Sequence, residues 1–325
     1  MPSRLFFSLC LLIASCAPRS LTDERTTPCA YADPLAYQGE APPWAGIQGA
    51  LLASRFETLE ELQQVVQLEY YPPQGAGIRV PRGDSLVRLT HCSDGRQVVS
   101  LLSWGVDESD FLEAYVGGTA EKIAVGLKSP FAVANRPYLQ RIFVLSRWRQ
   151  DFFGEGDPAF FDLASTMVDH INTPEQAFRF PRDSSEKGYL NTFNHVTAQA
   201  FITSLYSEEL ADFVADVHER NTMPELISGQ FRPDQLTDPE VNPIDNYVDI
   251  VNNEWGQELG LVLRKKYDLH AEKPWTPELL RDYLNDIQAY YAWGLKVGFS
   301  PFRTQDTIVQ RFTEKLNFVR RYQPG

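Results

Sequence analysis

The sequence predicts a mostly α-helical fold: a single helical domain with a small β hairpin near its N-terminal side. Three observations predict it. Of 325 residues, 43% are apolar and 22% charged, the ordinary balance of a globular chain. From about residue 107 onward, capping residues and helically spaced apolar positions recur segment after segment. One stretch alone reads clearly as β, the two runs on either side of Ser93-Asp94-Gly95-Arg96.

The first segment reads as an address. Arg4 precedes an apolar run at residues 5–13. That run is short of the ~20 residues a membrane-crossing helix needs, and a basic start before a short apolar core is a secretory signal. It ends in Ile13-Ala14-Ser15-Cys16, which resembles the bacterial lipobox. The resemblance implies a signal peptide over 1–15 and a Cys16 that becomes an acylated N-terminus, holding the chain to a lipid bilayer. Residue 17 is Ala rather than the Asp of inner-membrane retention, so the expected location is the bacterial cell envelope, at the outer membrane facing the periplasm. Cys29 and Cys92 then remain as thiols in an oxidising compartment, where a disulfide between them is expected and two free thiols are the alternative.

Residues 16–48 carry Pro18, Pro28, Pro34, Pro42 and Pro43 and develop no apolar face, so they read as a flexible tether, with folded structure starting near Ile47. The globular domain is expected over 49–325. Thr58-Leu59-Glu60-Glu61 is a capping-box pattern opening a helix over 58–67. Pro72, Pro73, Gly75, Gly77 and Pro81 make a loop, and the hairpin strands fall at 86–92 and 97–104. Asp107 caps a helix running to about 123, and 138–149 is apolar and basic. Asp157-Pro158 starts a helix to about 170, and Thr173-Pro174 repeats that start. Residues 189–206 and 208–220 form a helical pair with Ser207 as the second N-cap. Residues 221–241 are polar and Pro-rich, a long loop. Helices over 244–267, 277–297 and 304–320 complete the chain. There is no repeat, no Gly-rich phosphate loop and no Cys-x-x-Cys pair. The net charge of −13 argues against a nucleic-acid partner, since phosphate backbones would be repelled.

Three helices carry polar residues where apolar ones would be ordinary. At about 100° per residue, Asn191, His195 and Gln199 share one stripe that turns apolar at Ile202. His218 sits at the edge of an apolar face, with Glu219 about 100° away beside Glu208, Asp212 and Asp216, where a solvated acidic face is the plain alternative. Asp249, Asn253, Gly256 and Gly260 share a third stripe, with Asn252 at its border. Two glycines inside a helix cost ~1 kcal/mol each, which the close approach of another helix would offset, and the helix bearing His195 is the expected partner.

Asn194-His195-Val196-Thr197-Ala198, His218-Glu219 and Asp249-x-x-Asn252-Asn253-x-x-Gly256-x-x-x-Gly260, spread over about residues 189–262, together resemble the DUF6973-type helical domain. That domain, of uncharacterised function, occurs in bacterial secreted proteins and toxin-like polypeptides. Where its pattern has Arg before the first His, this chain has Asn194. The residues themselves suit general acid–base chemistry by His195, His218, Glu219 and Asp249, with Asn252 and Asn253 stabilising an oxyanion and Asn191, Asn194 and Gln199 contacting substrate. No His-Glu-x-x-His is present, so no cofactor is assigned, and a divalent metal on the two His and Asp249 stands as an alternative. No Gly-x-Ser-x-Gly elbow or placed Cys nucleophile is present either. The expected function is an envelope hydrolase acting on an anionic component such as phospholipid or peptidoglycan. The alternative is a non-catalytic lipoprotein, structural or partner-binding, whose polar groups only fix packing.

Overall fold

The computed structural model describes residues 42–44, 46–71, 86–103, 105–223, 225, 230–238 and 242–322. The signal peptide, Cys16, Cys29, the tether up to residue 41 and the 72–81 loop lie outside the described residues. The fold is mostly α, with a small antiparallel sheet near the N-terminal side. Among the described residues, no helix is long and apolar enough to cross a membrane.

In chain order the elements are α1 (Leu59–Leu62), β1 (Val66–Tyr71), β2 (Leu86–Ser93), β3 (Arg96–Ser103), α2 (Glu108–Val116), α3 (Thr119–Lys128), α4 (Pro130–Ala134), α5 (Arg136–Ser146), α6 (Gln150–Phe153), α7 (Phe160–Asp169), α8 (Pro174–Ala177), α9 (Asn191–Leu205), α10 (Glu208–Arg220), α11 (Pro233–Thr237), α12 (Ile244–Tyr267), α13 (Pro277–Leu295) and α14 (Thr307–Arg321).

The hairpin forms where its turn demands. Asp94 and Gly95 both take positive φ, 46° and 80°, as the tight turn between right-twisted strands requires. Ser93 then faces Arg96 across the pair and Leu86 faces Ser103. The hairpin is extended by a third strand, whose first residues fall within the helix expected over 58–67. Helix α1 stops at Leu62, and Val66–Tyr71 pairs antiparallel to β2, Val66 opposite His91. Thr58 does cap α1, accepting from the Glu61 N–H at 3.3 Å, but Val66-Gln67-Leu68-Glu69-Tyr70 alternates as a strand does.

Other boundaries moved for local reasons. Asp107 caps α2 through a reciprocal capping box with Asp110, but the Gly117-Gly118 pair ends that helix and a new one starts at Thr119. The expected 221–241 loop carries the short α11, and buried Glu225 accepts from Gln235 at 2.8 Å and from Tyr247 at 2.9 Å. The end of the expected tether is packed: Trp44 and Ile47 are buried, and Gln48 bonds Asp94 in the hairpin turn.

Helix α9 is central and buried on nearly every side. Phe193 stacks on Tyr291 of α13 with ring centroids 4.1 Å apart, and Phe201 packs on Tyr283 and Phe312. Two of its buried hydroxyls are paired: Thr197 with the Tyr291 hydroxyl at 3.0 Å, and Ser204, which donates to the Gly260 carbonyl at 2.9 Å. The sheet lays Val87, Leu89, Val98 and Leu102 on the core, and the Trp255 indole donates to His91 Nδ1 at 2.8 Å.

Candidate functional site

The α9–α12 crossing is made by glycine. A Cβ on Gly256 would stand 2.8 Å from the Val196 carbonyl oxygen and 2.8 Å from Gln199 Cβ. One on Gly260 would stand 2.7 Å from the Ala200 oxygen. These neighbours are backbone atoms and a Cβ, which no rotamer change can move, so the helices meet closely at both glycines. Two turns and one turn before Gly256, the same crossing brings Asp249 and Asn253 opposite Asn191 and His195. Ser207 caps α10 by accepting from the Leu210 N–H, and that helix delivers His218 and Glu219 on its last turn.

His195 is the hub. Its Nδ1 lies 3.0 Å from Asn253 Oδ1 and 3.8 Å from Glu219 Oε1, and its Nε2 lies 3.3 Å from Asp249 Oδ2. Asn253 donates its Nδ2 to Glu219 Oε1 at 3.4 Å. Asn191 donates to Asp249 Oδ1 at 2.8 Å and to Asp245 Oδ1 at 3.1 Å. An amide that gives its N–H₂ to Glu219 offers its oxygen to His195, so Nδ1 carries the ring proton and Nε2 is the acceptor. The proton between His195 Nε2 and Asp249 Oδ2 then belongs to Asp249, whose other oxygen takes the Asn191 bond.

Electrostatics agree with that placement. Burial pushes His195 down to about 4, helped by His218. Burial lifts Asp249 to about 7 against the Asn191 bond that lowers it. Asp245 rises to about 6, through burial and then the charge of Asp249. Glu219 rises well above the carboxylate range, first by burial and then by Asp249. The buried members are therefore a neutral imidazole, a protonated Glu219 and an Asp249 that titrates near neutral pH, with Asp245 largely ionised there. Asp216 behind them is lifted to about 8 by burial and by Asp212, although Arg220 lies 2.7 Å away.

Only a narrow part of the cluster meets solvent. The His195 side chain is 12% exposed, while His218 is 51% exposed and its Nδ1 pairs with Glu108 Oε1 at 3.1 Å. The two imidazole centroids are 6.1 Å apart. A cavity of about 10 Å³, space for one water, opens beside Asp245 between Arg182 and Lys187.

The structure thus gathers Asn191, His195, Glu219, Asp249 and Asn253, with His218 at the rim. It does not gather three others. Asn252 faces away and clasps Leu51, accepting from its N–H at 2.8 Å and donating to its carbonyl at 3.0 Å, so no oxyanion role is open to it. Gln199 is buried against Gly256 at the crossing and contacts no open surface. Asn194 is half-buried about 100° around α9 from His195 and makes none of the cluster's contacts. Two acids escaped the sequence reading. Asp245 lies one turn before Asp249 on the same stripe, a spacing that could have shown it. Glu108 comes from α2, far away in the chain, and no local pattern marks it. Cys92 is disulfide-bonded, and its expected partner Cys29 lies outside the described residues. No protein-family model, no curated protein and no solved structure matches the chain.

Proposed function

We propose that this chain is a lipid-anchored envelope hydrolase whose acid–base centre is His195 with Asp249 and Glu219. One observation carries the reading: three separate helices gather a buried imidazole and two buried carboxyls, Asp249 3.3 Å from one ring nitrogen and Glu219 3.8 Å from the other and joined to it through Asn253. His195 and Asp249 share one proton, so the pair takes a proton from water or returns it to a leaving group near neutral pH. Glu219 keeps its own proton and serves as the acid. Asp245, largely ionised at neutral pH beside the pair, and the net charge of −13 favour a neutral scissile group, an amide, ester or glycosidic bond, over direct approach of a phosphate. That ranks peptidoglycan above phospholipid. The motif Ile13-Ala14-Ser15-Cys16 supports acylation at Cys16 and an outer-membrane address facing that substrate.

The test compares wild type with His195→Gln and Glu219→Gln on purified peptidoglycan and on phospholipid vesicles, at equal folded fraction. Wild type should release product from peptidoglycan, and each variant should lose roughly 10²–10⁴-fold in rate. Equal rates in wild type and His195→Gln overturn the proposal. The second reading, a non-catalytic lipoprotein, draws on Asn252: its two bonds to Leu51 show that part of the polar set does hold the chain together.

A further inference from the structure

The two histidines share an arrangement of which the acid–base reading uses only the His195–Asp249 half. Each has a carboxylate on one ring nitrogen. Asp249 Oδ2 lies 3.3 Å from His195 Nε2, and Glu108 Oε1 lies 3.1 Å from His218 Nδ1. Glu108 is itself held, at 2.7 Å, by Arg147. Of the other two ring nitrogens, His218 Nε2 is open, and His195 Nδ1, which faces Asn253 Oδ1 at 3.0 Å, can coordinate once the ring proton moves to Nε2 and is donated to an ionised Asp249. Glu219 Oε1 is 3.8 Å from His195 Nδ1, and one ligand atom from each of His195, His218 and Glu219 fits within 4.8 Å of the others.

We propose that His195, His218 and Glu219 bind a divalent transition-metal ion of the Zn²⁺ class, with Asp249 and Glu108 as the carboxylates that orient its two imidazoles. Two imidazoles and a carboxylate are the three-ligand set of open zinc sites, in which a fourth position stays free for water or substrate. Carboxylates on the distal nitrogens are the usual outer partners of metal-bound histidines, fixing ring orientation and strengthening the donors. Nitrogen and oxygen donors without thiolate suit Zn²⁺ and its neighbours rather than Ca²⁺ or Mg²⁺. Ligands ~2.0–2.1 Å from a tetrahedral ion stand about 3.3–3.5 Å apart, so the set must close by about 1 Å. His218, half-exposed on the last turn of α10, is the side chain with room to do so. Asn253 Oδ1, 3.0 Å from His195 Nδ1, stands as a further oxygen donor beside the open position.

The inference goes beyond the hydrolase reading, because it concerns what these side chains bind, and it revises one role in that reading: a Glu219 that coordinates an ion has given up its proton and is not the acid while the ion is bound. Its test is a titration of the full chain, without a polyhistidine tag and washed with a chelator. Zn²⁺ is followed by calorimetry, and Co²⁺ by its visible absorption. One ion per chain should bind, with the Co²⁺ spectrum of a four- or five-coordinate site. His218→Ala, at an exposed position, should fold normally by circular dichroism and lose at least ~100-fold in affinity. Glu108→Gln, which touches no ion, should weaken binding ~10–100-fold. No saturable binding by wild type, or a His218→Ala affinity within twofold of it, overturns the site. Hydrolysis that persists in chelator while no ion binds overturns the metal alone. An ion bound by a chain that cleaves no envelope substrate overturns the hydrolase alone.

Discussion

Asp249 shows how one side chain ties stability to chemistry. Its folded value, about 7, lies above the ~3.9 of an unfolded Asp, so the protonated form favours the fold. That contribution is whole below pH ~4 and is lost as pH rises through about 7. His195 runs the other way. Lowered to about 4, it favours the fold while neutral and withdraws that support as pH falls from ~6.5. Asp249→Asn copies the protonated acid: its oxygen still accepts from Asn191 and its N–H₂ donates to His195 Nε2. With a chelator present, the variant should match wild type near pH 4. Near pH 8 it should be more stable by roughly 1–3 kcal/mol, with activity lost, since one pKa unit is ~1.4 kcal/mol. Urea midpoints across that range check this. A lower midpoint at high pH would show Asp249 ionised and paired in the native state.

At the scale of elements, the α9–α12 crossing decides whether the site exists. On an exposed helix, Gly→Ala stabilises by ~1 kcal/mol, whereas a methyl forced into a packed contact costs about 1–3 kcal/mol. At Gly256 the obstructing atoms are the Val196 carbonyl and Cα, backbone that has no rotamer to yield. Gly256→Ala should therefore lower the unfolding midpoint by the larger figure and reduce hydrolysis, because splayed helices part Asn253 from His195. A raised midpoint with unchanged slope would place that face in solvent. This crossing was legible in the sequence because a helix writes its stripe locally: Asp249, Asn253, Gly256 and Gly260 recur at turn spacing. The same arithmetic leaves Glu219 open between a site role and a solvated acidic face, since it falls near Glu208, Asp212 and Asp216 on the wheel, yet it is 3% exposed. Its burial comes from α12 packing alongside, and nothing within α10 encodes that. Asn252 and Asn253 are adjacent and chemically identical, but one meets the Leu51 backbone and the other His195. The wheel sets Asn252 about 100° from Asn253, at the border of the stripe, but only the position of the 47–52 segment shows what it meets there. Strand β1 was hidden for a related reason, since its partner β2 begins beyond the 72–81 loop.

For the whole molecule, the question is what closes the ends of the chain onto the helical core. At the N-terminal side, Leu51 is held from both faces, by Asn252 and by the Thr192 hydroxyl at 2.8 Å, and Gly49 lies flat on the Trp255 ring. At the C-terminal side, α14 is anchored by a charge. Lys315 is fully buried, and its Nζ donates to Asp157 at 3.1 Å, to the Arg147 carbonyl at 2.8 Å and to the Pro158 carbonyl at 2.7 Å. Three donors meet three acceptors, which is the condition under which a buried ammonium is tolerated. Burial lowers the Lys315 value and the Asp157 carboxylate opposes that, so the charge depends on its partner. Lys315→Met keeps the volume but strands a buried carboxylate and two carbonyls. We expect a loss of roughly 3–5 kcal/mol by denaturant titration. Adding Asp157→Asn removes the stranded charge and should return part of that loss, since the Arg149 N–H that Asp157 accepts can still bond an amide oxygen. If the single variant lost less than ~1 kcal/mol, α14 would not be held by this pair, and the docking of the C-terminal helix would rest on its apolar face alone.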